Sequence, residues 1–191
     1  MKFFNTDGRI DPERHYFIPH RFNEQQLSSL IEQQKYFILH APRQSGKTTS
    51  MLEFINILNA QGKYKALYIN IEGAQAARSD YIKGIRSILN GFKVSIDERY
   101  GSQDPAIPFL QKQVDNPSLS GTSLYEFMNF WSRNSDKPIV LFIDEIDALV
   151  GDTLVSVLRQ LRVGYTGRPK KFPPINVFNW RSRCARLPYL V

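Results

Sequence analysis

A loop between an apolar run and a helix-like segment carries the residue types best suited to phosphate chemistry. Residues 41–49 read APRQSGKTT, and a phosphate-binding loop follows the pattern G-x-x-x-x-G-K-[ST]. Gly46, Lys47 and Thr48 match this pattern, whereas Ala41 stands where the first glycine is expected. A methyl group at Ala41 is compatible with such a loop if the local φ is negative.

Each part of the loop has a physical role in binding phosphate. Backbone N–H groups from Gln44 to Thr48 can surround anionic oxygens, and the helix that follows adds its positive dipole end. Lys47 can place its ammonium between the β- and γ-phosphates, and the Thr48 hydroxyl can bind Mg²⁺. The alternative is an ordinary loop that contains Gly-Lys-Thr by chance. The predicted nucleotide-binding residues are Ala41, Pro42, Arg43, Gln44, Ser45, Gly46, Lys47, Thr48 and Thr49.

A second acidic motif follows a continuous apolar run over residues 139–143. Such a run is typical of a strand buried on both faces of a parallel sheet. Asp144 and Glu145 therefore stand at the carboxyl end of a strand, where α/β sheets bind ligands. We predict that Asp144 holds Mg²⁺ through its water shell and that Glu145 orients and polarises the attacking water. Asp147 is predicted to start a helix.

These motifs need strands and helices to position them. Apolar spacing and turn residues predict helices over 24–34, from 47 to a stop at 61–63, and over 78–92, 107–114, 124–133 and 154–163. Strands are predicted over 36–40, 66–71 and 139–143. The remainder of residues 93–121 is predicted to be irregular.

Two further groups of residues are candidates for contact with a nucleotide. Asn70 and Glu72 share a strand face with Tyr68, and a polar residue there can reach the catalytic centre or simply end the strand. Three residues ahead of the first strand can line a base pocket or pack in the core: Tyr16, Phe17 and Ile18. No metal site is proposed on the three histidines, which lack partners at ligand spacing: His15, His20 and His40.

Residues 41–49 and 141–147 look like the Walker A and Walker B motifs of P-loop ATPases of the AAA+ type, including the signal-transducing branch. Residues 1–172 resemble bacterial AAA-ATPase-like proteins whose loop reads APRQ-x-GKTT. The resemblance implies an α/β fold with three α-β-α layers, a parallel sheet in the order 5-1-4-3-2 and the Walker B strand third. The fourth strand would then come from residues 175–179, with Asn179 near the sensor-1 position that contacts γ-phosphate or water.

The sequence departs from this family pattern towards its C-terminus. Strand 5 and the lid subdomain are not found, and neither is a sensor-2 arginine or an assignable arginine finger. We therefore expect a truncated or frame-shifted family member whose isolated ATPase activity is low. The expected organisation is an extended segment over 1–22, a P-loop ATPase core over 23–174 and an atypical basic segment over 175–191.

Composition and charge limit the remaining choices of partner and cellular location. The net charge is +7, and residues 153–191 contain eight basic residues and no acidic one. This segment can bind nucleic acid or be a solvated tail. The single Cys184 fits a reducing compartment, and no apolar run is long enough to span a membrane, so a cytoplasmic location is expected.

Three functions remain from the sequence alone. The first is a Mg²⁺- and ATP-binding ATPase core, with ATP favoured over GTP because no N-K-x-D-like motif is present. The second is a non-catalytic nucleotide switch or partner-binding module, which acts with a protein partner or as a homo-oligomer. The third is nucleic-acid binding through the basic segment.

Overall fold

The computed structural model describes residues 2–4, 13–16, 23–41, 46–166 and 175–181. The helices in these residues are α1 Glu24–Glu32, α2 Lys47–Ala60, α3 Tyr81–Tyr100, α4 Ala106–Asp115, α5 Ser123–Asn134 and α6 Gly151–Thr166. The strands are β1 Phe37–Ala41, β2 Lys65–Asn70, β3 Ile139–Asp144 and β4 Ile175–Arg181, and two short 3₁₀ helices cover Glu72–Ala77 and Ile146–Ala148. Within the same residues, no helix is long and apolar enough to cross a membrane.

The four strands form one sheet in the order β1-β4-β3-β2. All three neighbouring pairs are parallel, and β4 lies between β1 and β3. Leu39 of β1 lies opposite Asn179 of β4, and Phe142 of β3 lies opposite Tyr68 of β2. The prediction of an α/β fold with a parallel sheet is therefore confirmed.

Alternating residues of the strands pack against two separate layers of helices, one on each face of the sheet. Val140 and Phe142 pack with residues of α1 and α2 in one cluster. Leu141 and Ile143 pack with residues of α3 to α6 in the other. All six residues of β3 are buried, so both faces of this strand require apolar side chains. This double burial explains the uninterrupted apolar run in the sequence.

Helix α3 is longer than the sequence analysis predicts. It begins at Tyr81, continues beyond the predicted end at residue 92 and stops at Tyr100 before Gly101, which has φ of 82°. A Cβ at Gly91 would lie in ordinary contact with Ile69 of β2, and the continued burial of Phe92 and Ile96 offsets the low helix propensity of glycine. The prediction that the remainder of residues 93–121 is irregular is wrong for residues 93–100, which continue α3, whereas the helix predicted over 107–114 is present as α4.

Helix α6 also exceeds its predicted range of 154–163. It begins at Gly151, which has φ of 61°, and runs through the buried Gly164 to Thr166. Gly164 is therefore an interior packing position and not a helix end. The other predicted helices and strands differ from the observed bounds by one or two residues. The expected stop after α2 is confirmed, since Gly62 follows the helix with φ of 71°.

Candidate functional site

The two sequence motifs meet at the carboxyl edge of the sheet. Strand β3 ends at Asp144, which lies opposite Asn70 at the end of β2. Helix α2 begins at Lys47, shortly after β1 ends at Ala41. Parallel strands bring their carboxyl ends to one edge, so the start of α2 and the end of β3 lie at the same edge.

The Asp144 carboxylate is buried and held by hydroxyl and backbone donors. Asp144 is 1% exposed to solvent. The Thr48 hydroxyl donates to Oδ2 at 3.0 Å, and the Tyr68 hydroxyl donates to the same oxygen at 2.9 Å. The backbone N–H of Glu145 donates to Oδ1 at 2.9 Å. Charge-assisted hydrogen bonds of this kind compensate a buried carboxylate for lost hydration.

Glu145 follows in a backbone conformation that glutamate seldom adopts. Its φ is 60° and its ψ is 31°, in the left-handed region, and the residue is 6% exposed. Such a conformation costs about 1–2 kcal/mol for a residue with a side chain. The Glu145 carbonyl accepts from the N–H of Ala148 at 3.0 Å, which holds the turn after β3. Strain of this kind is concentrated at functional sites.

The N-terminus of α2 is suited to an anion. Gly46 precedes the helix with φ of 77° and brings no side chain of its own to cap it, and the first turn contains no acidic residue. The N–H groups at this end and the helix dipole therefore favour a negatively charged ligand. Lys47 and Thr48 both lie in this first turn. The arrangement can hold phosphate oxygens beside the Asp144 carboxylate.

The donor set also fits Mg²⁺. Mg²⁺ is usually held by one or two carboxylates, waters and substrate phosphates, and not by an all-protein cage. Thr48 and Asp144 supply a hydroxyl and a carboxylate oxygen within 3.0 Å of each other. In the described part of the chain, no group of three His, Cys, Asp or Glu residues could hold a metal. A metal at this site would therefore take a bound phosphate as a ligand in addition to the protein side chains.

The structure brings some predicted site residues together and leaves others untested. Thr48, Asp144 and Glu145 are joined by hydrogen bonds, and Lys47 and Thr49 lie in the same first turn as Thr48. Ala41 ends β1 and Asn179 lies in β4 opposite Leu39, but both side chains are outside the described part of the structure. The remaining loop residues and two base-pocket candidates also lie outside it: Pro42, Arg43, Gln44, Ser45, Phe17 and Ile18.

Tyr68 is the site residue that sequence reasoning missed. Its neighbours Asn70 and Glu72 are the predicted contacts on this strand, but the Asn70 side chain accepts the N–H of Glu72 at 2.8 Å and ends the strand. Tyr68 is the residue on that face that contacts Asp144. The strand face that Tyr68 shares with Asn70 was a signal for this role in the sequence. The register that places Tyr68 near Asp144 is set by the pairing of β2 with β3.

Asp147 lies inside the 3₁₀ helix Ile146–Ala148, and the predicted helix begins only at Gly151.

A cleft of about 530 Å³ lies at the opposite edge of the sheet. Lys65, the first residue of β2, forms an ion pair there with the buried Asp104. The cleft is distant from the carboxyl edge because β2 and β3 run parallel away from it. It is lined by Asn59, Tyr64, Lys65, Arg99, Tyr100, Gln103, Asp104, Pro105, Asp136 and Lys137. The hydrogen bonds of Asp144 therefore lie away from this cleft, at the carboxyl edge of the sheet.

Comparison with known families places the chain in a domain family. A family model described as an AAA-like domain matches residues 5–168. The match covers most of the chain and includes the loop, α2 and the acidic end of β3. No match is found among curated proteins. The extent of the family match shows that the chain belongs to the AAA-like domain family.

Proposed function

We propose that this chain is a P-loop ATPase core of the AAA+ type that binds ATP with Mg²⁺. The observation that carries the proposal is the 3.0 Å hydrogen bond from the Thr48 hydroxyl to Asp144 Oδ2. It joins the phosphate-loop helix to the acidic strand, although the two motifs are far apart in the sequence. The strand order β1-β4-β3-β2 supports the same proposal, since it is the order that the resemblance implies for the first four strands.

Binding would be shared between the backbone and two side chains. The uncapped start of α2 would face the phosphates, and residues 41–45 would surround them from the loop. Lys47 would neutralise charge on the β- and γ-phosphates. Thr48 and Asp144 would hold Mg²⁺, which supplies charge neutralisation at the phosphate oxygens when bound.

Hydrolysis would require Glu145 in addition. Glu145 directly follows Asp144 in the chain, and its backbone is strained. Its carboxylate can therefore be placed beside the metal site. There it would orient a water molecule for in-line attack on the γ-phosphate and accept its proton. Asn179 remains a proposed sensor of the γ-phosphate. Turnover by the isolated chain is expected to be low.

Calorimetric titration with ATP and Mg²⁺ tests the binding step. We expect the wild-type chain to bind and Lys47→Ala to lose binding, because the mutant lacks the cation that faces the phosphates. Lys63→Ala is the matched control, since Lys63 pairs with Glu32 at 3.1 Å on an exposed surface. Equal affinity of Lys47→Ala and wild type for ATP would refute the site.

Steady-state turnover separates an ATPase from a non-catalytic nucleotide switch. Glu145→Gln should retain ATP binding and lose turnover, because the amide is a far weaker base than the carboxylate. Binding without any wild-type turnover would favour the switch. Nucleic-acid binding through the basic segment is the third candidate, and it predicts a DNA affinity that falls steeply with salt.

A further inference from the structure

Tyr68 reaches the acidic residue of the site from a neighbouring strand. It lies opposite Phe142, two residues before the pair of Asn70 and Asp144. Its partly buried ring packs against the cluster that contains residues of α1 and α2, and its hydroxyl donates to Asp144 Oδ2 at 2.9 Å. Diagonal neighbours on adjacent strands are within reach of long aromatic side chains. The phenol is therefore held by packing at one end and by the carboxylate at the other.

Three structural elements fix the orientation of the Asp144 carboxylate. Thr48 of α2 and Tyr68 of β2 both donate to Oδ2, and the Glu145 N–H donates to Oδ1. An ionised carboxylate has about four lone-pair sites. The observed donors use some of the lone-pair sites on each oxygen. A cation that binds both oxygens at once therefore cannot have all of these sites available to it.

This arrangement favours one kind of cation. Mg²⁺ requires near-ideal octahedral geometry and usually keeps several waters, whereas Ca²⁺ accepts flexible geometry and bidentate carboxylates. A carboxylate that is fixed by donors on both oxygens suits the water-mediated contact and hinders the bidentate one. The Tyr68 ring is anchored, and it can keep its hydrogen bond while the Thr48 oxygen contacts a metal.

We propose that Tyr68 is a positioning residue that sets the metal preference of the nucleotide site by holding Asp144. The inference rests on the proposed function, because it concerns the metal that accompanies the nucleotide. Tyr68 itself need not touch the metal or the phosphates. It acts by limiting the rotation of the Asp144 side chain.

Tyr68→Phe tests the inference, with Tyr100→Phe as the matched control. Tyr100 is also partly buried, and its hydroxyl donates to the carbonyl of Ala66 in the same strand at 2.6 Å. Nucleotide affinity is measured for each variant with Mg²⁺, with Ca²⁺ and with a chelator. The nucleotide affinity measured with the chelator reports whether the phosphate loop is folded. The increase in this affinity on adding metal reports the contribution of Asp144.

We expect Tyr68→Phe to keep its affinity in the chelator and to lose about tenfold or more of the gain from Mg²⁺, as is usual when a residue that orients a metal ligand is removed. The gain from Ca²⁺ should fall less, so the ratio of the two gains should decrease. Tyr100→Phe should leave both gains unchanged.

Several outcomes would overturn the inference while leaving the site intact. An unchanged Mg²⁺ gain in Tyr68→Phe, or equal losses with both cations, would show that the phenol does not set metal preference. Loss of affinity in the chelator would show that the hydroxyl supports the fold of the loop instead. Failure of the wild-type chain to bind nucleotide at all would count against the proposed function itself.

Discussion

Replacing Gly84 by alanine should destabilise the fold, although alanine is the better helix former. Gly84 lies in α3 where this helix contacts α6, and an ideal Cβ there would overlap the Thr153 methyl group and lie 2.8 Å from Thr153 Oγ1 and 3.2 Å from its Cβ. Thr153 is fully buried. Its hydroxyl donates to the carbonyl of Arg78 at 2.7 Å, and its N–H donates to the same carbonyl at 3.2 Å. Thr153 therefore cannot turn away from a new methyl group without losing a hydrogen bond.

The net cost follows from three opposing contributions. Alanine gains about 1 kcal/mol over glycine in helix propensity. Overpacking in a tight site costs about 1–3 kcal/mol, and loss of the Thr153 hydroxyl bond costs about 1 kcal/mol more. We therefore expect Gly84→Ala to lower the free energy of unfolding by about 1–3 kcal/mol.

Urea denaturation of three variants measures this effect. Gly91→Ala is the control in the same helix, because its Cβ would lie 3.6 Å from Ile69 Cδ1 in ordinary contact, and it should be neutral or stabilising by up to about 1 kcal/mol. Thr153→Ser removes the methyl group that meets position 84 and keeps the hydroxyl, so it should partly restore stability to Gly84→Ala. A Gly84→Ala variant as stable as Gly91→Ala would refute the reasoning.

Two further predictions concern backbone strain and pH. Glu145→Gly should raise the free energy of unfolding by about 1 kcal/mol in chemical denaturation, because glycine adopts the left-handed conformation without strain, and an unchanged value would argue against strain at Glu145. Burial raises the pKa of Tyr100 to about 12, and the negative charge of Asp104 adds to this against the opposing effects of Arg99 and Asn59. Because the folded-state pKa lies above the unfolded value, this stabilisation is complete below about pH 10 and is lost as the pH rises towards 12, by roughly 1–2 kcal/mol after allowance for partial exposure. Comparison of wild type with Tyr100→Phe at about pH 9 and pH 11 isolates this group, and parallel stability curves would contradict it.

The sequence carried enough information to predict both halves of the candidate site. Lys47 and Thr48 follow an apolar strand, Asp144 ends another, and parallel strands bring such ends to one edge. Residues 175–179 were predicted as a strand because the resemblance requires a fourth strand, and β4 is present there. The parallel α/β sheet follows from the doubly buried run of β3.

Features that depend on tertiary packing were not readable in the sequence. Gly91 resembles a helix end, and only the burial of Phe92 and Ile96 beyond it shows why α3 continues through a glycine. Glu145 has no sequence signal for a left-handed conformation, since glycine and asparagine are the residues that usually adopt it. The contact of Tyr68 with Asp144 depends on the register between β2 and β3, which a single sequence does not specify.

The position of β4 in the sheet has a consequence for biosynthesis. Ile175–Arg181 is the last described strand in the chain, yet it lies between β1 and β3. A nascent chain that has not yet produced this strand would leave a central edge of β1 and of β3 unpaired, and such edges promote aggregation. Because β1 and β3 are joined only through β4 in the described sheet, the Thr48–Asp144 contact is expected to form late. Completion of the sheet and formation of the candidate site would then be a single event that follows synthesis of β4.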